Sequence, residues 1–136
     1  MYVLIWVAFI EILVILFPVT GTAVADTIHL VIGVAVLALA YLIHRRVAST
    51  SCPGRIKLIT KTTFGLAVFQ AVLGISLFAA IGMGAPEGGL VVTVIDFLHV
   101  ANALAIITQA SSSATAFDMW EEGEFTPPPP PTSSGS

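Results

Sequence analysis

The chain has 136 residues, 57% of them hydrophobic and 10% charged, and its mean hydropathy is +1.00. Soluble domains carry about 25% charged residues, so this composition excludes a soluble globular enzyme or a nucleic-acid-binding domain and predicts a protein that lies in a lipid bilayer. The net charge of −3 conceals a segregation of charge, since all five basic residues fall within residues 45–61. The single cysteine, Cys52, excludes an internal disulfide and a site made of several thiolates.

Four apolar runs follow one another, over residues 2–20, 26–43, 62–83 and 90–117. A helix needs about 20 apolar residues to cross the roughly 30 Å of hydrocarbon in a bilayer. Lipid offers no partner for unpaired backbone groups, so spanning segments must be helices or closed barrels, and these runs are too continuous for alternating strands. The sequence therefore predicts an all-α fold, a four-helix transmembrane bundle over residues 1–117, with successive helices antiparallel.

The connection between the second and third runs, residues 45–61, fixes the predicted orientation. It holds every Lys and Arg of the chain, and cytoplasmic loops are enriched in these residues. We therefore predict a multi-pass protein of the plasma membrane with both termini in the cytoplasm. His44, beside this connection, is predicted to be an interfacial anchor.

Residues 118–136 form the predicted tail, which is acidic and then reads TPPPPPTSSGS. Such a composition cannot bury enough apolar surface to fold, so we predict a disordered tail. A polyproline II ligand for a partner protein is the alternative.

The second and fourth runs open with the same pattern, Asp-x-x-His, at Asp26 and His29 and again at Asp96 and His99. The chain thus resembles one helix pair used twice, and both of these helices run in the same direction. The repeat predicts that the two histidines face each other across the bundle. Ionisable groups inside a membrane usually face the bundle interior and mark function.

Two facing imidazoles in a helical bundle are typical of a haem site, because haem iron takes axial ligands from opposite sides of its ring. Gly33 and Ala103 each lie four residues after a histidine, and we expect these small residues to make room for the ring. We therefore predict that His29 and His99 bind a haem of b, o or a type. Two alternatives stay open: histidines that only hydrogen-bond between helices, and a mononuclear metal site of the two aspartates and two histidines.

Counting 1.5 Å per residue from the outer ends of the runs tests which residues share the histidine level. His29 lies about 5 Å deep, Glu11 about 13 Å and Gln70 about 19 Å. This count predicts that Glu11 and Gln70 do not complete a metal shell there. His29 and His99 match in depth only if the fourth span begins near Ile95.

The phrase QAVLGIS, which starts at Gln70, and His99 with Ala103 one turn later resemble the haem A synthase family. Members of this family have two four-helix halves, and the second and fourth helix of each half carry a histidine. Residues 1–115 resemble one such half. The resemblance implies that the chain oxidises a methyl group of haem O to the formyl group of haem A, with His29 and His99 as iron ligands. It also implies that Gln70 contacts the haem.

The resemblance also implies a role for Asp26, which falls where the first half of the family carries the glutamate of E-x-x-H-R. Leu30 replaces the arginine of that motif, and the outer-loop cysteines of some members are missing. One histidine pair stands in place of two, so either one haem suffices or a homodimer restores the pair. The alternatives are a b-type cytochrome subunit that transfers electrons in a respiratory chain, and a structural or assembly subunit without a cofactor.

Overall fold

The computed structural model describes residues 1–16 and 22–123 of the chain. This part of the chain folds into helices α1 Tyr2–Leu16, α2 Thr22–Ala48, α3 Gly54–Gly82 and α4 Leu90–Glu121. The predicted all-α fold class is confirmed.

Each helix packs against two others, so that the bundle is a square in cross-section. Helix α1 contacts α2 and α4, and α3 contacts the same two helices. Helices α2 and α4, which carry the two Asp-x-x-His patterns, therefore occupy one diagonal of the square. Their histidines can meet only at the centre of the bundle.

Helices α2, α3 and α4 are long and apolar enough to cross a membrane, whereas the apolar part of α1 that the structure describes, Tyr2–Val14, is shorter. The outer surface of the bundle is covered with large apolar side chains, such as Phe78, which is 83% exposed, and Leu90, which is 80% exposed. A surface of this kind is not stable in water. The protein is therefore a membrane protein.

The interior of the bundle is formed largely by small and polar residues. Lipid tails are as apolar as leucine, so helices in a membrane associate through close packing of small residues and through hydrogen bonds between polar ones. The buried small and polar residues are Ala8, Ala25, Ala40, Ala67, Ala110, Ala114, Glu11, Thr60, Thr63, Gln70, Asn102 and Ser113.

We call the end of the bundle at residues 49–53 the basic end, and the end at which α2 and α4 begin the histidine end. Two hydrophobic clusters lie in the half toward the basic end. The larger contains Leu4, Ala8, Val36, Ala40, Ala67, Ile106 and Ala110. The smaller, at Val47, Cys52 and Ile56, closes the bundle beside the connecting loop.

The connection between α2 and α3 is much shorter than predicted. Helix α3 begins at Gly54, directly after Pro53, so the last three basic residues, Arg55, Lys57 and Lys61, lie on its first turns. Arginine and lysine are good helix formers, and their long side chains can carry the charge to water from the end of a buried helix. A count of apolar residues alone therefore placed the start of this helix too late.

Helices α2 and α4 also extend beyond their predicted limits. Helix α2 begins at Thr22, because the alanine-rich segment before Asp26 favours a helix and lipid favours every backbone hydrogen bond. Helix α4 continues to Glu121, so residues 118–121, assigned to the tail, are helical. The rest of the predicted tail, from residue 124, and residues 17–21 of the first loop lie outside the described residues.

Candidate functional site

The structure brings together the two histidines of the repeat. The imidazole rings of His29 and His99 have centroids 5.9 Å apart and planes inclined at 65°. The Nδ1 atom of each ring is buried and has no hydrogen-bond partner within the described chain. His44 near the basic end also has an unpartnered buried Nδ1 atom, so the feature that points to a functional site is the facing of two imidazoles inside the bundle.

The two histidines lie at nearly the same depth. His29 is seven residues from the start of α2 at Thr22, and His99 is nine residues from the start of α4 at Leu90. At 1.5 Å per residue their depths are about 10 and 14 Å. Measured from the helix starts, the two depths differ by only about 4 Å, because α2 begins earlier than its apolar run suggested. The entry of the fourth span near Ile95 stays a prediction.

Glu11 of α1 lies beside this pair, contrary to the depth predicted for it. Its Oε1 atom is 3.6 Å from Nδ1 of His29, and the residue is 8% exposed. The earlier start of α2 moves His29 about 6 Å deeper, nearly to the level of the carboxyl group. Glu11 was recognisable as the one charged residue in its apolar run, but the depth count misplaced it.

Two glycines make room for the polar groups of the site. A Cβ atom at Gly33 would lie 2.9 Å from Oε1 of Glu11, and one at Gly74 would lie 3.2 Å from Cε1 of His99. The space at Gly33 therefore holds the Glu11 carboxyl group in this structure, and a contribution of Gly33 to a haem pocket stays a prediction. Gly74 lets α3 approach the edge of the His99 ring.

A hydrogen-bonded amide pair lies one turn further toward the basic end. Asn102 Nδ2 donates to Oε1 of Gln70 at 2.7 Å and to the backbone carbonyl of Leu66 at 3.0 Å. Gln70, predicted to contact a cofactor, thus links α3 to α4, while Ala103 is half-buried next to Asn102. Sequence reasoning missed Asn102, although the only asparagine of the chain, on an apolar helix, is typical of a polar contact between membrane helices.

Asp26 and Asp96 are both exposed, and each lies one turn from its histidine toward the histidine end. They are equivalent in position as well as in sequence. The role that the resemblance implies for Asp26 stays a prediction.

Two regions near the basic end do not belong to this site. The ring of His44 stacks on Phe64 with a centroid distance of 6.0 Å and an interplanar angle of 3°. A groove of about 410 Å³ lies between α1, α2 and α4 beside Arg46, where the Tyr2 hydroxyl donates a hydrogen bond to Asp118.

The donor set at the site is suited to haem rather than to a bare metal ion. Among the residues that the structure describes, no three His, Cys, Asp or Glu side chains are grouped to hold a metal ion, so the site of two aspartates and two histidines is not assembled. Haem needs only axial ligands from the protein. Bonds from a metal to imidazole nitrogen are about 2 Å long, which puts the centroids of two opposed imidazoles about 6 Å apart, close to the distance between His29 and His99.

Fold and site define an α-helical membrane protein with two facing histidines inside its bundle. Comparison of the chain with protein-family models, with curated proteins and with solved structures finds no match. The similarity to haem A synthases therefore rests on the sequence phrases alone.

Proposed function

We propose that this protein is a membrane haem protein in which His29 and His99 would hold the iron. The observation that carries the proposal is the 5.9 Å separation of the two imidazole centroids, which suits two axial ligands of one metal. The positions on diagonal helices support it as well, because each ring approaches the centre of the bundle from the opposite side.

The proposed activity is that of a compact haem A synthase, the two-step oxidation of a haem O methyl group to a formyl group. Bound haem would be the substrate. Conversion of its methyl group to a formyl group takes one oxygen atom from water and releases four protons and four electrons, which an external electron acceptor would have to remove. Asp26 would assist proton transfer at the histidine end, where its exposed carboxyl group can exchange protons with water. The single histidine pair is compatible with one haem per chain, or with a homodimer that holds two.

A second candidate is a b-type cytochrome subunit that passes electrons to a respiratory-chain partner. The observation that favours it is the equivalence of Asp26 and Asp96, which are both exposed and each lie three residues before a histidine. An electron carrier needs no carboxyl group with a special role at either position, whereas a haem A synthase would need one, Asp26, for proton transfer.

We further propose that the basic end faces the cytoplasm and that the protein resides in the plasma membrane. The support is the position of all five basic residues at that end. Cys52 is a poor probe of this orientation because it is buried. A Ser51→Cys variant in a Cys52→Ala background presents an exposed thiol in the same loop, and an impermeant thiol reagent should label it only in opened cells. Labelling in intact cells would reverse the orientation.

The test of the haem proposal is the absorption spectrum of the purified protein. Wild type should show a low-spin haem spectrum, and either His29→Ala or His99→Ala should abolish it. His44→Ala is the matched control and should leave the spectrum intact, because His44 stacks on Phe64 near the basic end. If all three variants had the same absorption spectrum, His29 and His99 would have a purely structural role.

The test between the two candidate functions is haem extraction from cells that make haem O. Wild type should convert haem O to haem A, Asp26→Asn should bind haem without converting it, and Asp96→Asn should retain more conversion. A haem-loaded wild type that makes no haem A would favour the electron carrier.

A further inference from the structure

The buried carboxyl group of Glu11 has no role in the proposed ligation, yet it is held against one of the two proposed ligands. Its side chain is 11% exposed, and its Oε1 atom lies 3.6 Å from Nδ1 of His29. A carboxyl group at membrane depth is costly to bury unless it has a polar partner. The polar contact described for it is with Nδ1 of His29, at a distance longer than a hydrogen bond.

The bundle is shaped around this contact. Gly33, one turn along α2 from His29, has no side chain where the carboxyl group lies, and a Cβ atom there would approach Oε1 of Glu11 to 2.9 Å. Such an approach is shorter than carbon–oxygen contact allows, so an alanine at this position would displace the carboxyl group. Two helices, α1 and α2, thus cooperate to direct one oxygen atom at one ring nitrogen.

Among the residues that the structure describes, no carboxyl group makes an equivalent contact with the second histidine. The ring edge of His99 lies against the backbone of α3 at Gly74, with Cε1 3.2 Å from the position of an added Cβ atom. Its Nδ1 atom has no hydrogen-bond partner within the described chain. The sequence repeat makes the two histidines equivalent, whereas the packing makes their surroundings different.

We propose that Glu11 is a positioning residue for His29: its carboxyl group accepts a hydrogen bond from Nδ1–H and leaves Nε2 to bind the haem iron. This inference rests on the proposed haem ligation. The present 3.6 Å distance is about 0.7 Å longer than a usual N–H···O hydrogen bond. Such contacts are often long without the ligand and tighten when it binds.

A carboxyl group in this position changes the properties of the iron as well as the geometry of its ligand. A hydrogen bond from the distal nitrogen of a metal-bound histidine to a carboxylate fixes the tautomer and makes the ligand a stronger donor. A stronger donor stabilises ferric over ferrous iron. With haem bound, Glu11 would therefore lower its reduction potential, and His29 would be a stronger electron donor to the iron than His99.

The experiment is redox titration and electron paramagnetic resonance of the purified, haem-loaded full-length protein. Glu11→Gln should keep low-spin haem, raise its midpoint potential and shift its g values, because the amide is a weaker acceptor than the carboxylate. Gly33→Ala should raise the potential in the same direction without removing Glu11, since it displaces the carboxyl group. Gly65→Ala is the matched control, because an added Cβ atom there meets nothing within 4 Å, and its potential should equal that of wild type.

The outcomes separate this inference from the proposal on which it rests. A haem-loaded wild type whose potential is unchanged by both Glu11→Gln and Gly33→Ala would overturn the role of Glu11 alone. Loss of haem in Glu11→Gln, with no change of potential in Gly33→Ala, would also overturn it and leave Glu11 a folding requirement. A wild type that binds no low-spin haem would overturn both proposals.

Discussion

The two halves of the bundle are built on different principles. The half toward the basic end contains both hydrophobic clusters, including Leu4, Ile56 and Ile106, each 2% exposed or less. The half toward the histidine end holds the ionisable groups of the interior, with Glu11 beside His29 and with His99 facing His29 across the diagonal. The hydrophobic clusters are thus concentrated in one half and the interior ionisable groups in the other. Mutations in the first half should therefore change mainly stability, and mutations in the second should change mainly haem binding.

The largest effect on stability should come from the packed half. Ile106→Ala removes a side chain that is 2% exposed, and large-to-small substitutions of this kind cost about 2–5 kcal/mol. Equilibrium unfolding in mixed micelles, followed by circular dichroism, measures this loss. Ile75→Ala is the matched control, since Ile75 is 69% exposed on the outer surface, and it should change stability by less than about 0.5 kcal/mol. Equal losses would show that the packed half has no special share in stability.

The next effect should come from haem itself. A ligand that binds only the folded state stabilises it, by about 2.7 kcal/mol at a free concentration of 100 times its Kd. Thermal unfolding of wild type should therefore shift upward when haem is added, while His29→Ala should show no shift. A shift of the same size in His29→Ala would place the haem outside the histidine pair.

The amide pair lies at the boundary between the two halves, and its contribution should be smaller. A double-mutant cycle with Asn102→Leu and Gln70→Leu should give a coupling of about 0.6 kcal/mol, with an upper limit of about 1.7 kcal/mol, as for other hydrogen bonds between membrane helices. The control cycle pairs Gln70→Leu with Thr108→Val, because the hydrogen bond described for the Thr108 hydroxyl lies within α4, to the carbonyl of Leu104 at 2.9 Å. Its coupling should be zero within about 0.5 kcal/mol. If the first cycle gave the same coupling as the control cycle, the amide pair would not stabilise the contact between α3 and α4.

The smallest effect should be the difference in stability between alanine variants at two glycines of α3. Gly65→Ala meets no neighbouring atom within 4 Å and should stabilise the protein by about 0.5–1 kcal/mol, since alanine favours a helix over glycine. Gly74→Ala should increase stability by less, because its Cβ atom would lie 3.2 Å from Cε1 of the His99 ring. The same contact should broaden the absorption spectrum of bound haem. Thermal unfolding and absorption spectra of both variants measure this difference, and identical gains with unchanged spectra would show that the His99 ring moves freely.

The sequence by itself determined the environment and the architecture. A chain with 10% charged residues and four long apolar runs has to satisfy its backbone hydrogen bonds within helices. The repeated Asp-x-x-His pattern also indicated that His29 and His99 would meet, because residues at equivalent positions on parallel helices lie at similar depth. Composition and the repeated motif are both local features of the sequence, so neither conclusion needed the tertiary structure.

Only the tertiary structure decided how these histidines are surrounded. The contact of Glu11 with His29 depends on where α2 begins, and an apolar-run count misplaced that start by four residues, or about 6 Å along the helix. The hydrogen bond from Asn102 to Gln70 likewise joins residues 32 positions apart, and its existence depends on the relative axial shift of α3 and α4. Side-chain packing and the ends of helices set such shifts, and neither is contained in the local pattern of apolar and polar residues.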